Sequence, residues 1–289
     1  MTLNLIPELQ YWYQQGSWFQ WQQHKIFYGE HGAGESIILL HGFPTSSWDW
    51  QYLQPVLSQH FQVVHLDLLG FGFSDKPNQP YSIGAQAQLV MDLLATLGIQ
   101  HCHIIAHDYG NLVAQELLAH HNRSQWRSCT LLNGVIFPEL QQPLLSQRLW
   151  AGHCGSSLAW LFTRHLLKRL FSYGGGAHPP SDYELKGNLQ LLQLQQGTQN
   201  LAQLSHYLTE MQDSQRVWFT ALRDCEVALQ MITGCDDPSC DASMLARYQT
   251  ELPHRPLIPL DGVGHFPHLE APHRVLQQLL PFLQRPCAA

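Results

Sequence analysis

Short apolar runs separated by helical stretches are what most constrain this chain. Ser36–Leu40 (SIILL), Gln62–Leu66 (QVVHL), His101–Ala106 (HCHIIA) and Cys129–Asn133 (CTLLN) are apolar almost throughout and end in turn signals. They are too short for helices and read as strands buried on both faces. Between them, Tyr81–Leu97 and Tyr109–His121 space their apolar residues at the helical period and contain no proline. Strands alternating with helices predict an α/β fold, a mostly parallel central sheet with helices on both faces. Trp18–Gln22 and Lys25–Tyr28 alternate polar and apolar residues around His24 and read as antiparallel edge strands.

The alternation stops after Pro138. From there to about Arg223 the chain is rich in leucine and glutamine, helical in period, and broken by Tyr173–Pro180 (YGGGAHPP). Strand patterns resume at Val227–Thr233 (VALQMIT) and Pro256–Pro259, and a last helix runs from about Pro272 to Gln284. The expected organisation is therefore one core in two pieces, residues 1–135 and 223–289, with a helical insertion, 136–222, over the open end of the sheet. A chain of 289 residues can bury a core of that size.

Composition removes several function classes. A formal net charge of −7 argues against a nucleic-acid surface or an anionic membrane partner. Seven cysteines without regular spacing form no zinc pattern, so no metal and no cofactor are expected, and the thiols are read as reduced in a cytoplasmic protein. The opening MTLNLIPELQYWYQQG lacks the basic and apolar regions of a secretory signal. No window reaches the ~20 apolar residues of a membrane span. Leu158–Phe171 (LAWLFTRHLLKRLF) is read as a helix covering a pocket rather than a membrane contact. The expected partner is a small organic molecule; membrane association is not expected, and oligomeric state is left open.

Four motifs then fall at predicted strand ends. In His103–Leu118 (HIIAHDYGNLVAQELL) a strand turns sharply into a helix, with Asp108 at the corner and small residues, Ala106 and Gly110, on either side. That is the pattern of a nucleophile elbow, and aspartate accepts the positive φ such a corner requires more readily than a bulky residue. A carboxylate there also sits near a helix N-terminus, where the dipole favours an anion. His41-Gly42-Phe43-Pro44 ends another strand, so that the amides of Phe43 and Tyr109 would form an oxyanion hole. Gly234-Cys235-Asp236-Asp237-Pro238 puts an acid after a third strand, the spacing favouring Asp237 over Asp236. Gly262-Val263-Gly264-His265-Phe266-Pro267 puts His265 after a fourth. His107 is read as a support facing the sheet, and Asp67 as a ligand for turn amides.

With its order of nucleophile, acid and histidine (Asp108, Asp237, His265), the chain resembles the α/β-hydrolase family. More narrowly, it resembles the branch with an aspartate nucleophile, the epoxide hydrolases and haloalkane dehalogenases. The stretches HGFPTSSWDW (His41–Trp50), LDLLGFGFSDKP (Leu66–Pro77), HDYGNLVAQELL (His107–Leu118) and NGVIFPE (Asn133–Glu139) extend the likeness beyond the site. The resemblance implies that the insertion is a cap and that Asp108 attacks a saturated carbon to form an alkyl ester. His265, oriented by Asp237, then activates the water that hydrolyses it. It also implies a cap tyrosine that protonates an opening epoxide, with Tyr207 as candidate and Tyr173 and Tyr183 as weaker ones. Tyr109 and Trp218 are the implied substrate-binding residues. Dehalogenases carry Asn or Trp where this chain has Phe43, and Trp where it has Tyr109, so epoxide hydrolysis is the first expectation. Dehalogenation and a non-catalytic ligand-binding role are the alternatives.

Overall fold

In the computed structural model the described residues are 4–121, 125–134, 136–140, 176–177 and 179–285. Eight strands form one sheet: β1 (Ser17–Trp21), β2 (His24–His31), β3 (Ser36–Leu40), β4 (Gln62–Leu66), β5 (Cys102–His107), β6 (Trp126–Leu132), β7 (Ala228–Gly234) and β8 (Leu257–Leu260). Their order is β1-β2-β4-β3-β5-β6-β7-β8. β1 and β2 pair antiparallel, as does β2 with β4, and every remaining pair is parallel.

The helices are α1 (Pro7–Gln15), α2 (Ile83–Thr96), α3 (Tyr109–His120), α4 (Asp182–Gln193), α5 (Tyr207–Asp224), α6 (Ala242–Glu251) and α7 (Pro272–Leu283), with shorter turns between them. The predicted α/β architecture holds; β3 and β4 keep their predicted bounds, and the other strand boundaries move by at most three residues. α1 and α6 have no counterpart in the sequence reading. Their apolar residues are sparse, only Leu9 and Trp12 in α1 and Met244 and Tyr248 in α6 being buried.

Period two explains how apolar strands build two cores. In β3, Ile38 and Leu40 join one cluster with Ile104, Ala106, Leu131 and the inner faces of α2 and α3. Ile37 and Leu39 join the other with Ile105, Leu132, Leu9 and Leu279. Successive side chains point to opposite faces, so a strand covered on both sides must be apolar at every position. Alternation would have failed as a signal here, and the continuous run succeeded.

Leaving β3 the chain moves outward to β4, then crosses back to β5 on the other side of β3. The carboxyl ends of β3 and β5 therefore flank the point where strand order reverses, the place where parallel sheets leave a crevice for ligands. Helical residues from the stretch between β6 and β7 reach the same end. Helix α5 lies along α3, its Tyr207 ring 5.3 Å from that of Tyr109. Glu210 accepts the Ile83 amide at the start of α2 at 2.9 and 3.0 Å, placing a carboxylate on a helix N-terminus. Residues 141–175, including Leu158–Phe171 and Tyr173, lie outside the described residues. Among the described residues no helix is long and apolar enough to cross a membrane.

Candidate active site

Asp108 stands between β5 and α3 with φ 46° and ψ −110°, backbone space that most L-residues avoid. The turn closes because its neighbours are small. A Cβ on Gly110 would lie 2.3 Å from the Leu40 carbonyl oxygen, and one on Gly42 would lie 2.6 Å from His107 Nδ1 and 3.0 Å from Asp108 Cβ. These are the glycines on which the approach of β3's loop to the elbow depends. The Phe43 amide donates to Asp108 Oδ2 at 2.9 Å, and the Tyr109 amide also bonds to the carboxylate. Burial still pushes the Asp108 carboxyl above its usual range, against the pull of His265 and the two amides.

His265 follows β8. Its Nδ1 donates to Asp237 Oδ2 at 2.8 Å, and its Nε2 lies 3.8 Å from Asp108 Oδ1. The sequence left two acids open. Asp237 is buried and touches the ring, whereas Asp236 is exposed. Asn133 donates to Asp237 Oδ2 at 2.7 Å, and Ser239 donates to Oδ1 through its amide at 2.8 Å and its hydroxyl at 2.6 Å. Burial alone would raise this carboxyl. The neighbouring His265, then Ser239 and Asn133, outweigh it and hold the group at about 2. For His265 the same contest runs the other way. Burial pulls it down, but Asp237 first, then Asp108 and Glu270, lift it to about 9.

The loop bearing His265 is itself clamped. Glu270 accepts the Gly264 amide at 2.7 Å and the Phe266 amide at 2.9 Å, one carboxylate oxygen to each. His107 Nε2 donates to the His265 carbonyl at 2.8 Å, giving the support expected of it a specific target. Asp67 accepts the Ser47 and Phe73 amides at 2.8 and 2.6 Å, in keeping with the turn-holding role read from the sequence. Sequence reading missed Asn133, Ser239 and Glu270. Glu270 follows His265 by five residues and Ser239 follows Asp237 by two, short-range signals that were available. Asn133, 104 residues from Asp237, gave none.

Of the insertion residues, Tyr207 comes to the site. Its ring packs 5.5 Å from Phe43 and 5.3 Å from Tyr109, the two residues whose amides face Asp108. Trp218 needs correcting as a substrate-binding candidate. Eleven residues further along α5, it is about 16 Å from Tyr207 along the axis, and its indole donates to Glu116 of α3 at 2.6 Å. Its contacts are those of helix packing. Tyr183 is also elsewhere, its ring 5.6 Å from Trp48. The Tyr109 phenol reaches Gln86, so this side chain points its polar end away from the carboxylate. Among the described residues, Asp49, His107 and His268 form a buried grouping whose potential ligand atoms all lie within 4.8 Å of one another.

An elbow carboxylate, two amides aimed at it, and a histidine backed by a second acid define an α/β-hydrolase, and the comparisons agree. The model of the Alpha/beta hydrolase family matches residues 37–278, and the chain belongs to that family. Among its relatives is the mesoderm-specific transcript protein of Mus musculus, 35% identical over 97% of this chain and 89% of the relative. Solved structures of the same fold include the epoxide hydrolase CorEH, with a TM-score of 0.78 at 20% identity, covering 92% of this chain and 97% of that one. A haloalkane dehalogenase loop variant from Bradyrhizobium elkanii gives a TM-score of 0.79 at 19% identity, covering 93% and 95%.

Proposed function

We propose that this protein is a hydrolase in which Asp108 attacks a saturated carbon of a small organic substrate, an epoxide before an organohalide. The observation that carries the reading is the Asp108 carboxylate at the elbow, held by the Phe43 amide and facing His265 Nε2 at 3.8 Å. An ionised carboxylate needs no general base before it attacks. One Asp108 oxygen forms a bond to carbon while the carbon–oxygen bond of the epoxide breaks, leaving an alkoxide that a cap acid protonates. Tyr207 is the candidate acid, because its ring lies against both oxyanion-hole residues. The described part of the insertion acts as the cap.

The second step uses His265 as base. It takes a proton from water, and the hydroxide attacks the carbonyl carbon of the Asp108 ester. The Phe43 and Tyr109 amides stabilise the tetrahedral oxyanion. Collapse expels the alcohol and restores the carboxylate. Electrostatics favour this order. The Asp108 charge is among the groups lifting His265 to about 9. Esterification removes that charge, so the His265 pKa falls and more of the imidazole is in the neutral form that can take a proton from water.

The epoxide reading is preferred to the halide one because neither Phe43 nor Tyr109 offers a side-chain N–H to a leaving halide, and the Tyr109 hydroxyl is turned to Gln86. Intact-mass measurement of His265→Gln, incubated with panels of epoxides and organohalides, tests both. An epoxide should add its whole mass to the protein, and a haloalkane its mass less that of the hydrogen halide. If no compound adds mass and Asp108→Ala leaves wild-type turnover unchanged, the covalent reading is wrong.

A further inference from the structure

Beside the candidate triad lies a second polar cluster that the proposed chemistry leaves unused. Asp49, His107 and His268 are each fully buried. His268 sits between two rings, its own centroid 4.7 Å from that of Trp50 and 4.4 Å from that of His107, tilted against both. His107 in turn lies 5.0 Å from His265, ring to ring. Four atoms face inward without a hydrogen-bond partner among the described residues: Asp49 Oδ2, His107 Nδ1 and both ring nitrogens of His268. Buried polar atoms left unpaired are costly, and one such group from each of the three residues lies within 4.8 Å of the others, so they call for a common explanation.

The proton count supplies one. A carbonyl oxygen only accepts, so the 2.8 Å bond to His265 O requires the proton of His107 to be on Nε2. Neutral His107 then presents Nδ1 as an acceptor and needs a donor. His268 can supply it from one ring nitrogen, after which its other nitrogen needs a donor in turn. Asp49 can meet that need only if it shares a proton with His268. The Asn188 amide donates to its Oδ1 at 3.3 Å and Thr45 also bonds to the carboxylate, and Oδ2 is the oxygen left without a partner among the described residues.

We propose that Asp49, His268 and His107, linked through single bridging waters, form a directional hydrogen-bonded chain that ends on the His265 carbonyl and positions that histidine over Asp108. In it the donors run from Asp49 toward His268, from His268 toward His107 Nδ1, and from His107 Nε2–H to His265 O. All three are positioning residues. The chain as a whole carries no net charge, as its burial demands. The environment of each group agrees: burial pushes Asp49 up to about 7 and pulls His268 down to about 3 and His107 well below its usual value. This inference rests on the reading of His265 as the base, but its first test does not involve turnover.

Nitrogen-15 NMR of the histidine rings in the 289-residue chain, with single His variants for assignment, reads the tautomers directly. The wild type should show His107 protonated on Nε2, with that proton protected from exchange. Asp49→Asn keeps an N–H donor toward His268 and an acceptor toward Asn188, so it should retain the pattern. Asp49→Ala and His268→Phe, the latter keeping a ring against Trp50, should lose the protection. In the ester-hydrolysis step, measured with an epoxide that loads Asp108, these two should be slower by about ten-fold, while Asp49→Asn stays within about two-fold of wild type. A His107 proton on Nδ1, Asp49→Asn behaving like Asp49→Ala, or a stoichiometric metal ion in the purified protein lost on Asp49→Asn would each overturn the chain. The expected tautomers without any ester on Asp108 would instead sink the functional reading and leave the chain standing.

Discussion

Two carboxylates stand at strand ends on either side of His265, and the protein treats them oppositely. Asp237, after β7, takes hydrogen bonds from His265, Asn133 and twice from Ser239. Its side chain is 2% exposed. Asp108, after β5, keeps 18% exposure and holds its bonds through main-chain amides. The saturated acid is held at about 2, whereas burial raises the other. A carboxylate whose lone pairs are all engaged can orient and stabilise a cation but has nothing left to attack with. A carboxylate on a turn, facing the crevice, keeps an oxygen free to attack, which is the role proposed for Asp108. The difference lies in the neighbours rather than in the residue type, which is aspartate in both places.

Removing the charge from the saturated side should break the comparison most severely. Asp237→Asn leaves the shape but no longer stabilises the imidazolium, so ester hydrolysis should slow by about 10³–10⁴-fold. Attack by Asp108 should change far less, and rapid-quench mass measurement should find the alkyl ester accumulating. Equal slowing of both steps would mean that Asp237 does not act through His265.

A smaller effect concerns stability against pH. The depressed Asp237 adds stability above its ordinary 3.8 that disappears as pH falls through about 2. The raised His265 adds stability below its ordinary 6.5 that disappears as pH rises through about 9. Both describe one ion pair, so the benefit is complete only between 3.8 and 6.5 and is about 2–3 kcal/mol, the Asp237 shift giving the lower figure because Asp108 and Glu270 also lift His265. Urea unfolding of wild type and Asp237→Asn across pH should show the widest gap in that window. A gap that stays constant from acid to alkaline pH would contradict the pairing.

The smallest expected effect sharpens how the acid is held. Ser239→Ala removes the hydroxyl bond but leaves the amide bond to Asp237 Oδ1. It should raise the acid limb of ester hydrolysis and lower the plateau by about three-fold, the loss of roughly 0.5–1 kcal/mol. No movement of the acid limb would show that the amide alone suffices.

The elbow was legible because its requirements are local. A strand, a corner and a helix in sixteen consecutive residues, with Gly110 where a Cβ would strike Leu40 O, are written in adjacent letters. The choice between Asp236 and Asp237 was half legible, as spacing ranked them and burial separated them. Trp218 was misassigned because helical period gives the face of α5 but not how far along its axis the crevice extends. Asn133 was invisible, since its meaning depends on β6 and β7 becoming neighbours across an insertion.

What the sequence determined by itself was the succession of the eight strands and of most of the helices between them, the two-sided burial of the sheet, and the identity of the elbow residue. Local sterics and hydrophobic period act over a few residues and can be read from them. Only the tertiary structure decided which acid meets His265, that Glu270 clamps the histidine loop, and that Asp49, His107 and His268 converge beside it. Those relations depend on segments up to 219 positions apart in the chain (Asp49 and His268) being packed to within a few ångströms. Distances of that kind are set by sheet order and side-chain packing, for which one-dimensional spacing carries no information.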